Sequence, residues 1–276
     1  MSSSLMKLKA KIKNYAKENN IAAQVVLQNY MFERFLERLS QTKYKEKFIV
    51  KGGMLIASIV GLDTRSTMDL DATIKSIPLT EENIIEVINQ ICKVELDDNV
   101  TFKIVSIGPI RKDDLYGGYA IRLDAIFESI ITPLSIDISC GDIITPSAIQ
   151  YEFNSMFDKD IKIKLWGYNI ETILAEKIET ILNRGVFSTR PKDYYDVYVL
   201  TKTQSFDKSI FKEALHATAT HRNSLDTIKN QMNIINQIET NPDLKTMWSK
   251  YQSKFYYAKD ITFEELIDAI KELFII

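Results

Sequence analysis

The chemistry most plainly on offer lies in Thr67-Met68-Asp69-Leu70-Asp71-Ala72-Thr73-Ile74. Apolar and polar residues alternate there, which is the period of a strand. Positions i and i+2 of a strand share a face, so Asp69 and Asp71 project together while Met68, Leu70 and Ala72 are expected to pack behind. Two carboxylates so placed repel each other unless a cation sits between them. Oxygen donors with no His or Cys nearby suit Mg²⁺, which binds through one or two carboxylates and the phosphates of its substrate. A bare Asp-x-Asp is also common on solvated edge strands, so the surroundings decide.

Those surroundings favour phosphate chemistry. Gly52-Gly53 follows the β-branched run Phe48-Ile49-Val50 and precedes a helical segment that starts at Met54. Glycines at a strand–helix turn let backbone N–H groups come close to a phosphate. Arg65, four residues before Asp69, carries a fork of donors that can hold one. A third carboxylate is available at Asp137, in Leu134-Ser135-Ile136-Asp137-Ile138-Ser139, where Ile136 and Ile138 face a core and Asp137 faces away. Asp124, in Arg122-Leu123-Asp124, is a weaker rival for that place. Two aspartates on one strand and a third on a neighbour can position metal ions for in-line displacement at phosphorus.

A second group of charged residues comes later. In Leu174-Ala175-Glu176-Lys177-Ile178-Glu179-Thr180-Ile181, Leu174, Ile178 and Ile181 form the buried stripe of a helix, and Lys177 falls on the same side. Such a lysine either snorkels to water or meets an anion, and spacing leaves both open. Further on, Arg190-Pro191-Lys192-Asp193-Tyr194-Tyr195-Asp196-Val197 opens another helix, with Pro191 suited to its first turn. The helix dipole alone favours Asp193 there. Yet Asp193, Asp196, Val197 and Leu200 fall on one face, and acids that share a face with core residues need a partner or a role.

The elements that must carry these residues read as an α+β order. Helices are predicted at 5–18 and 22–42, a strand at 48–50, a helix at 54–60, a strand at 68–74 and a helix at 80–94. Strands follow at 100–107, 118–127, 133–139 and 161–166, the first two joined by a charged loop containing Arg111-Lys112-Asp113-Asp114. Helical periodicity then dominates, at 170–183, 191–202, 208–217, 224–239 and 262–274. This places an α+β domain over 1–165 and a helical domain over 166–276, with the active-site cleft completed by the second.

Composition narrows the chemistry. The chain has 276 residues, 45% hydrophobic and 26% charged, which is ordinary for a globular protein with room for one large domain or two modest ones. No apolar run approaches the roughly 18 residues of a membrane span, and the N-terminus lacks the apolar stretch of a signal peptide, so a cytoplasmic protein without membrane partners is expected. Cys92 and Cys140 form no paired motif, and His216 and His221 miss the spacing that aligns ligands on a helix. Catalysis must rest on carboxylates, lysines and arginines. Residues 1–50 hold ten Lys or Arg against four Glu in a chain of net charge −2, so the basic charge is concentrated at the start. That suits a polyanionic substrate or simply a solvated helix face.

The run Lys51-Gly52-Gly53 followed by Arg65-Ser66-Thr67-Met68-Asp69-Leu70-Asp71 resembles the first motif of the DNA polymerase β-like nucleotidyltransferases, and Asp137 fits their third carboxylate. Within that superfamily the chain resembles the AbiEii abortive-infection toxins of type IV toxin–antitoxin pairs, over about residues 48–200. The resemblance implies a mixed nucleotidyltransferase-like sheet with flanking helices, with Asp69, Asp71 and Asp137 as metal ligands. It implies triphosphate binding by Lys177 and places Lys192, Asp193 and Asp196 in the active site, with Asp193 functional and Asp196 its support. Many superfamily members carry Gly-Ser where this chain has Gly52-Gly53, so phosphate holding would fall to the backbone, Arg65 or Lys51.

The expected activity is Mg²⁺-dependent transfer of a nucleotide from a nucleoside triphosphate to an acceptor hydroxyl. The resemblance implies that the acceptor is the 3′ end of tRNA, that translation stops as a result, and that a cognate antitoxin exists. Two other readings stay open. One is the same chemistry on a small molecule such as an aminoglycoside. The other is a catalytically silent nucleotide-binding regulator, which the intact set Asp69, Asp71, Asp137, Lys177 and Asp193 argues against.

Overall fold

Seven strands among the described residues join one mixed sheet, and its register sets which carboxylates meet. A computed structural model describes residues 3–110, 117–158 and 160–275; the stretch Arg111-Lys112-Asp113-Asp114 lies outside them. The chain divides into two compact units, 1–142 with 149–167 and 143–148 with 168–276.

The first unit holds the whole sheet. Its strands are β1 (Phe48–Lys51), β2 (Asp69–Ile74), β3 (Val100–Pro109), β4 (Gly118–Phe127), β5 (Ile130–Cys140), β6 (Ile149–Asn154) and β7 (Lys162–Gly167), in the spatial order β3-β4-β5-β2-β1-β7-β6. β2 runs parallel to β5 and antiparallel to β1, and β1 runs parallel to β7. Four helices accompany it among the described residues: α1 (Ser3–Glu18), α2 (Ala23–Ser40), α3 (Gly52–Val60) and α4 (Glu81–Cys92).

One face of the sheet is sealed by helices. α2 packs on β5 and β7, and α4 on β3. The spacing of Met31, Phe32, Phe35 and Leu39 gives α2 a buried stripe, and Leu70, Ala72, Ile136 and Ile138 of β2 and β5 are buried as well. Each such side chain contributes about 1.5–3 kcal/mol by leaving water, so Phe35→Ala would cost about 3–5 kcal/mol. Met68 departs from its expected place in that core and is 43% exposed, because β2 begins only at Asp69. α2 also reaches the entry to β2: the buried Gln28 and Asn29 amides donate to the carbonyls of Met68 (2.9 Å) and Thr67 (2.8 Å). Those bonds satisfy backbone acceptors directly before Asp69 and fix where the strand starts.

The described part of the second unit is helical, with α5 (Ile170–Arg184), α6 (Pro191–Thr203), α7 (Lys208–His221), α8 (Leu225–Lys229), α9 (Gln231–Thr240), α10 (Pro242–Lys254) and α11 (Phe263–Glu272). Side chains define several starts. Asn169 accepts from Thr172 N–H at 2.7 Å to cap α5, and Thr262 with Glu265 forms a capping box on α11. Where one helix was expected over 224–239, the chain makes two, α8 and α9, interrupted at Asn230 (φ −99°, ψ 16°). β6 and α10 were not expected from the sequence. α10 starts at Pro242 behind an Asn241 cap, and β6 pairs only with β7. No described helix is long and apolar enough to cross a membrane.

Candidate active site

The open face of the first unit's sheet carries the acidic residues. Leu70 and Ala72 are buried on the helix side, so Asp69 and Asp71 point the other way, as strand alternation requires. Parallel pairing of β2 with β5 sets Asp71 directly beside Asp137, and antiparallel pairing with β1 sets Lys51 on its other side. Lys51, Asp71 and Asp137 therefore form a row across three neighbouring strands, with Asp69 one pleat along. Asp124 stands opposite Pro133, four residues along β5 from Asp137, and register leaves it out of the row.

The row has the electrostatics of a cation site. Burial pushes the Asp137 carboxyl above the ordinary aspartate range and the nearby Asp69 charge pushes it further, while Arg122 and Lys51 pull it back. Asp137 Oδ1 is buried without a hydrogen bond; the nearest cation atom recorded beside it, Arg122 Nη1, is 4.0 Å away. A desolvated carboxylate oxygen without a donor, in a cluster of like charge, fits a divalent cation held by oxygen ligands. Among the described residues no three acidic, His or Cys side chains already close around an ion. Two carboxylates completed by substrate phosphates is the pattern such an ion uses.

The turn beside this row is built on glycine. Gly52 has φ +65°, a left-handed conformation, and a Cβ there would lie 2.1 Å from Asp71 Oδ2. The Asp71 carboxylate thus rests against the backbone that opens α3, where helix N–H groups favour negative charge. A Cβ on Gly53 would meet Thr67 Oγ1 at 2.7 Å and Arg65 Nη2 at 3.3 Å. Thr67 and Arg65 fill the space a serine would take, which accounts for Gly53 in this chain. Arg65 itself is 3% exposed and donates to the Ser66 carbonyl, so its charge lies beneath the turn and not out on its surface.

Lys51 is held by residues the sequence reading did not single out. Its ammonium bonds Ser139 Oγ at 2.8 Å and pairs with Asp142, and Ser139 Oγ donates to Asp142 Oδ2 at 2.8 Å. Ser139 was visible as part of a strand, but Asp142 lies just past the end of β5 with no motif around it.

The second unit gathers Lys177, Asp193 and Asp196. Lys177 Nζ lies 2.7 Å from Asp193 Oδ1 and 2.8 Å from Asp196 Oδ2, and Arg190 Nε lies 2.7 Å from Asp193 Oδ2. Both carboxylates are essentially inaccessible, at 1% and 0%. Burial pulls the lysine down, but Asp196 and Asp193 outweigh it and hold the ammonium above the ordinary lysine range. The anion that Lys177 meets is thus the chain's own pair of aspartates, which leaves one of its three donors for anything else. Lys192 is exposed on the first turn of α6.

A mixed sheet that aligns strand carboxylates beside a glycine turn defines the class by architecture: the chain has a nucleotidyltransferase-like fold. A crystal structure of a candidate nucleotidyltransferase from H. pylori superposes with TM-score 0.51 at 16% identity, covering 92% of this chain and 96% of that one. The structure of JHP933 from Helicobacter pylori gives TM-score 0.50 at 15% identity, covering 91% and 92%. The sequence model of the AbiEii nucleotidyl transferase toxins of type IV toxin–antitoxin systems matches residues 34–269, and this chain belongs to that family. No curated protein matches it by sequence. Membership makes it a nucleotidyltransferase toxin, with a nucleotide substrate and an antitoxin as its counterpart.

Proposed function

We propose that the enzyme is Mg²⁺-dependent and transfers a nucleotide from a nucleoside triphosphate to the 3′ end of tRNA. The observation that carries this reading is the row Lys51–Asp71–Asp137 with Asp69 beside the Gly52-Gly53 turn. Asp69 and Asp71 would hold the ion, with Asp137 on the neighbouring strand available as a third ligand, and the ion would supply charge neutralisation at the triphosphate. Lys51, fixed by Ser139 and Asp142, takes a phosphate oxygen. Arg65 strengthens the positive field from below the turn. Lys177, through its remaining donor, and Lys192 hold further phosphate oxygens. Asp193 acts by holding Lys177 and Arg190 in place, with Asp196 as its support through their shared Lys177. Such transfer depends on positioning and electrostatics more than on covalent participation by the protein.

The test is incubation with total RNA, Mg²⁺ and each labelled triphosphate in turn. Label should enter tRNA from the wild type, and folded Asp71→Asn should lose several orders of magnitude, since metal stabilisation of the transition state is worth several kcal/mol. Near-normal transfer by Asp71→Asn would remove the metal assignment. Transfer to small alcohols in place of RNA would remove the acceptor.

A further inference from the structure

We propose that Phe187 and Arg190 form a platform for the unpaired 3′ nucleotides of an RNA acceptor, with Phe187 stacking on a base and Arg190 binding the adjoining phosphate. The proposal rests on RNA being the acceptor, as set out above, and adds where its end is read.

Phe187 is 86% exposed, yet the turn that presents it is hydrogen-bonded. Gly185, at φ +50°, ends α5 and starts the 3-10 turn Gly185–Phe187, which packs on α9. Ser188 follows and is pinned inward at 6% exposure, with its N–H donating to Gly185 O at 3.2 Å and its Oγ accepting from Arg190 N–H at 3.4 Å. Both flanks of Phe187 are anchored through these hydrogen bonds, and the ring is presented outward from the turn. An open aromatic face on a rigid backbone is what base stacking uses.

Arg190 is held just as firmly. Its Nε lies 2.7 Å from Asp193 Oδ2, a carboxylate fixed in turn by Lys177, while the side chain stays 51% exposed. No ion pair among the described residues engages its Nη atoms. The guanidinium is tethered by this ion pair and half exposed, which leaves it available to a phosphate. From Arg184 to Lys192 the chain carries three cations and no carboxylate.

The same features select the occupant. A small nucleotide needs a concave site that covers most of its surface, which a protruding ring does not give. Aromatic residues and arginine occur in protein and nucleic-acid interfaces alike, but three cations without a carboxylate over Arg184 to Lys192 favour a polyanionic partner. A single-stranded end laid across the turn satisfies both, placing a base on the ring and neighbouring phosphates on the cations.

The experiment measures fluorescence anisotropy of a short, fluorescein-labelled single-stranded oligoribonucleotide on the full chain, beside binding of a blunt RNA duplex and of each nucleoside triphosphate. Phe187→Ala should weaken single-strand binding roughly 5- to 150-fold, Phe187→Trp should restore it, and duplex and triphosphate affinities should stay as in the wild type. Arg190→Gln should lower the salt slope for the single strand by about 0.7; Arg190→Lys, which keeps a charge beside Asp193, should recover part of it. Unchanged single-strand binding by Phe187→Ala would overturn the proposal and leave the ring to a protein partner. Equal loss in the Ala and Trp variants would overturn stacking. A change confined to triphosphate affinity would assign the ring to the donor nucleotide and overturn the RNA assignment. A wild type that transfers nucleotide but binds no RNA would overturn the acceptor reading itself, an outcome visible before any variant is made.

Discussion

Replacing Lys177 with alanine removes the cation from between two of the most deeply buried carboxylates in the second unit. Lys177 touches Asp193 at 2.7 Å and Asp196 at 2.8 Å, with side-chain exposures of 14%, 2% and 0% for the three residues. Asp193 keeps Arg190, but Asp196 loses the ammonium that offsets its desolvation. Breaking a buried pair from one side costs about 3–5 kcal/mol, a large part of the roughly 5–15 kcal/mol that holds a typical protein folded. The expected result is a fall in Tm of about 6–20 °C for Lys177→Ala. Lys177→Met combined with Asp196→Asn should recover most of that loss, because it removes the carboxylate charge that Lys177 offsets. The sign of the pH dependence follows from the raised lysine pKa. The contribution is fully present below the ordinary lysine value of about 10.4 and is lost only as pH rises through the higher folded value, so it should be flat around neutrality. Differential scanning calorimetry of the three proteins from pH 6 to 9 tests this. A Lys177→Ala protein melting within about 2 °C of the wild type would refute the buried-ion argument. The consequence for function is practical. An alanine variant confounds stability with phosphate binding, so triphosphate affinity should be compared in Lys177→Arg, which keeps the charge.

Three further outcomes are expected. Gly52→Ala places a Cβ 2.1 Å from Asp71 Oδ2 at φ +65°, so it should cost about 1–2 kcal/mol of stability through the backbone alone and lower transfer far more by displacing Asp71; normal transfer in a folded variant would remove the turn from the site. Asp137→Asn should raise the Tm of the metal-free protein at neutral pH by no more than about 1 kcal/mol equivalent after solvent screening, while abolishing transfer. With its folded pKa raised, Asp137 stabilises the metal-free protein at low pH and loses that contribution as pH rises through the raised value, so the variant's advantage should vanish in acid, and an advantage that grew in acid would reverse the assignment. Replacing Lys7, Lys9, Lys11 and Lys13 with Gln should flatten the salt dependence of RNA binding by one or two contacts, about 0.9 each for double-helical contacts, without altering triphosphate affinity, because these exposed lysines are spread around α1. An unchanged slope would remove α1 from the acceptor surface.

Local pattern was enough for most of the elements. The alternation in β2 and the stripe of α2 each express a single period, and such segments form where the sequence places them. β6 was legible but went unread: Ile149-Gln150-Tyr151-Glu152-Phe153-Asn154 alternates apolar and polar residues, which is the period of a strand. The break at Asn230 was hidden because apolar residues continue on both sides of it, and neither Gly nor Pro marks it. Met68 shows the limit of counting by twos, since the strand period holds only from the residue where the ladder begins.

The site was legible to the extent that strand geometry alone determines it. Asp69 and Asp71 share a face by alternation, and Asp137 opposes the buried Ile136 and Ile138 by the same rule, but its place beside Asp71 depends on a parallel pairing between strands more than sixty residues apart. No local pattern encodes that register; it follows from how the helix-covered face packs. Charge partnership was less legible still. Lys177 on an apolar flank signalled a buried ammonium, yet nothing at its own position said whether the anion would be a ligand's or the protein's. The i, i+3 spacing of Asp193 and Asp196 held the answer, because two acids on the core face of one helix require a cation, and Lys177 was the cation on a core face in the neighbouring helix. Arg190 then follows from Asp193, whose second oxygen would otherwise be buried beside no charge. The exposed half of that arginine is the part the ion cluster does not consume, and it is the part that the proposed RNA platform uses.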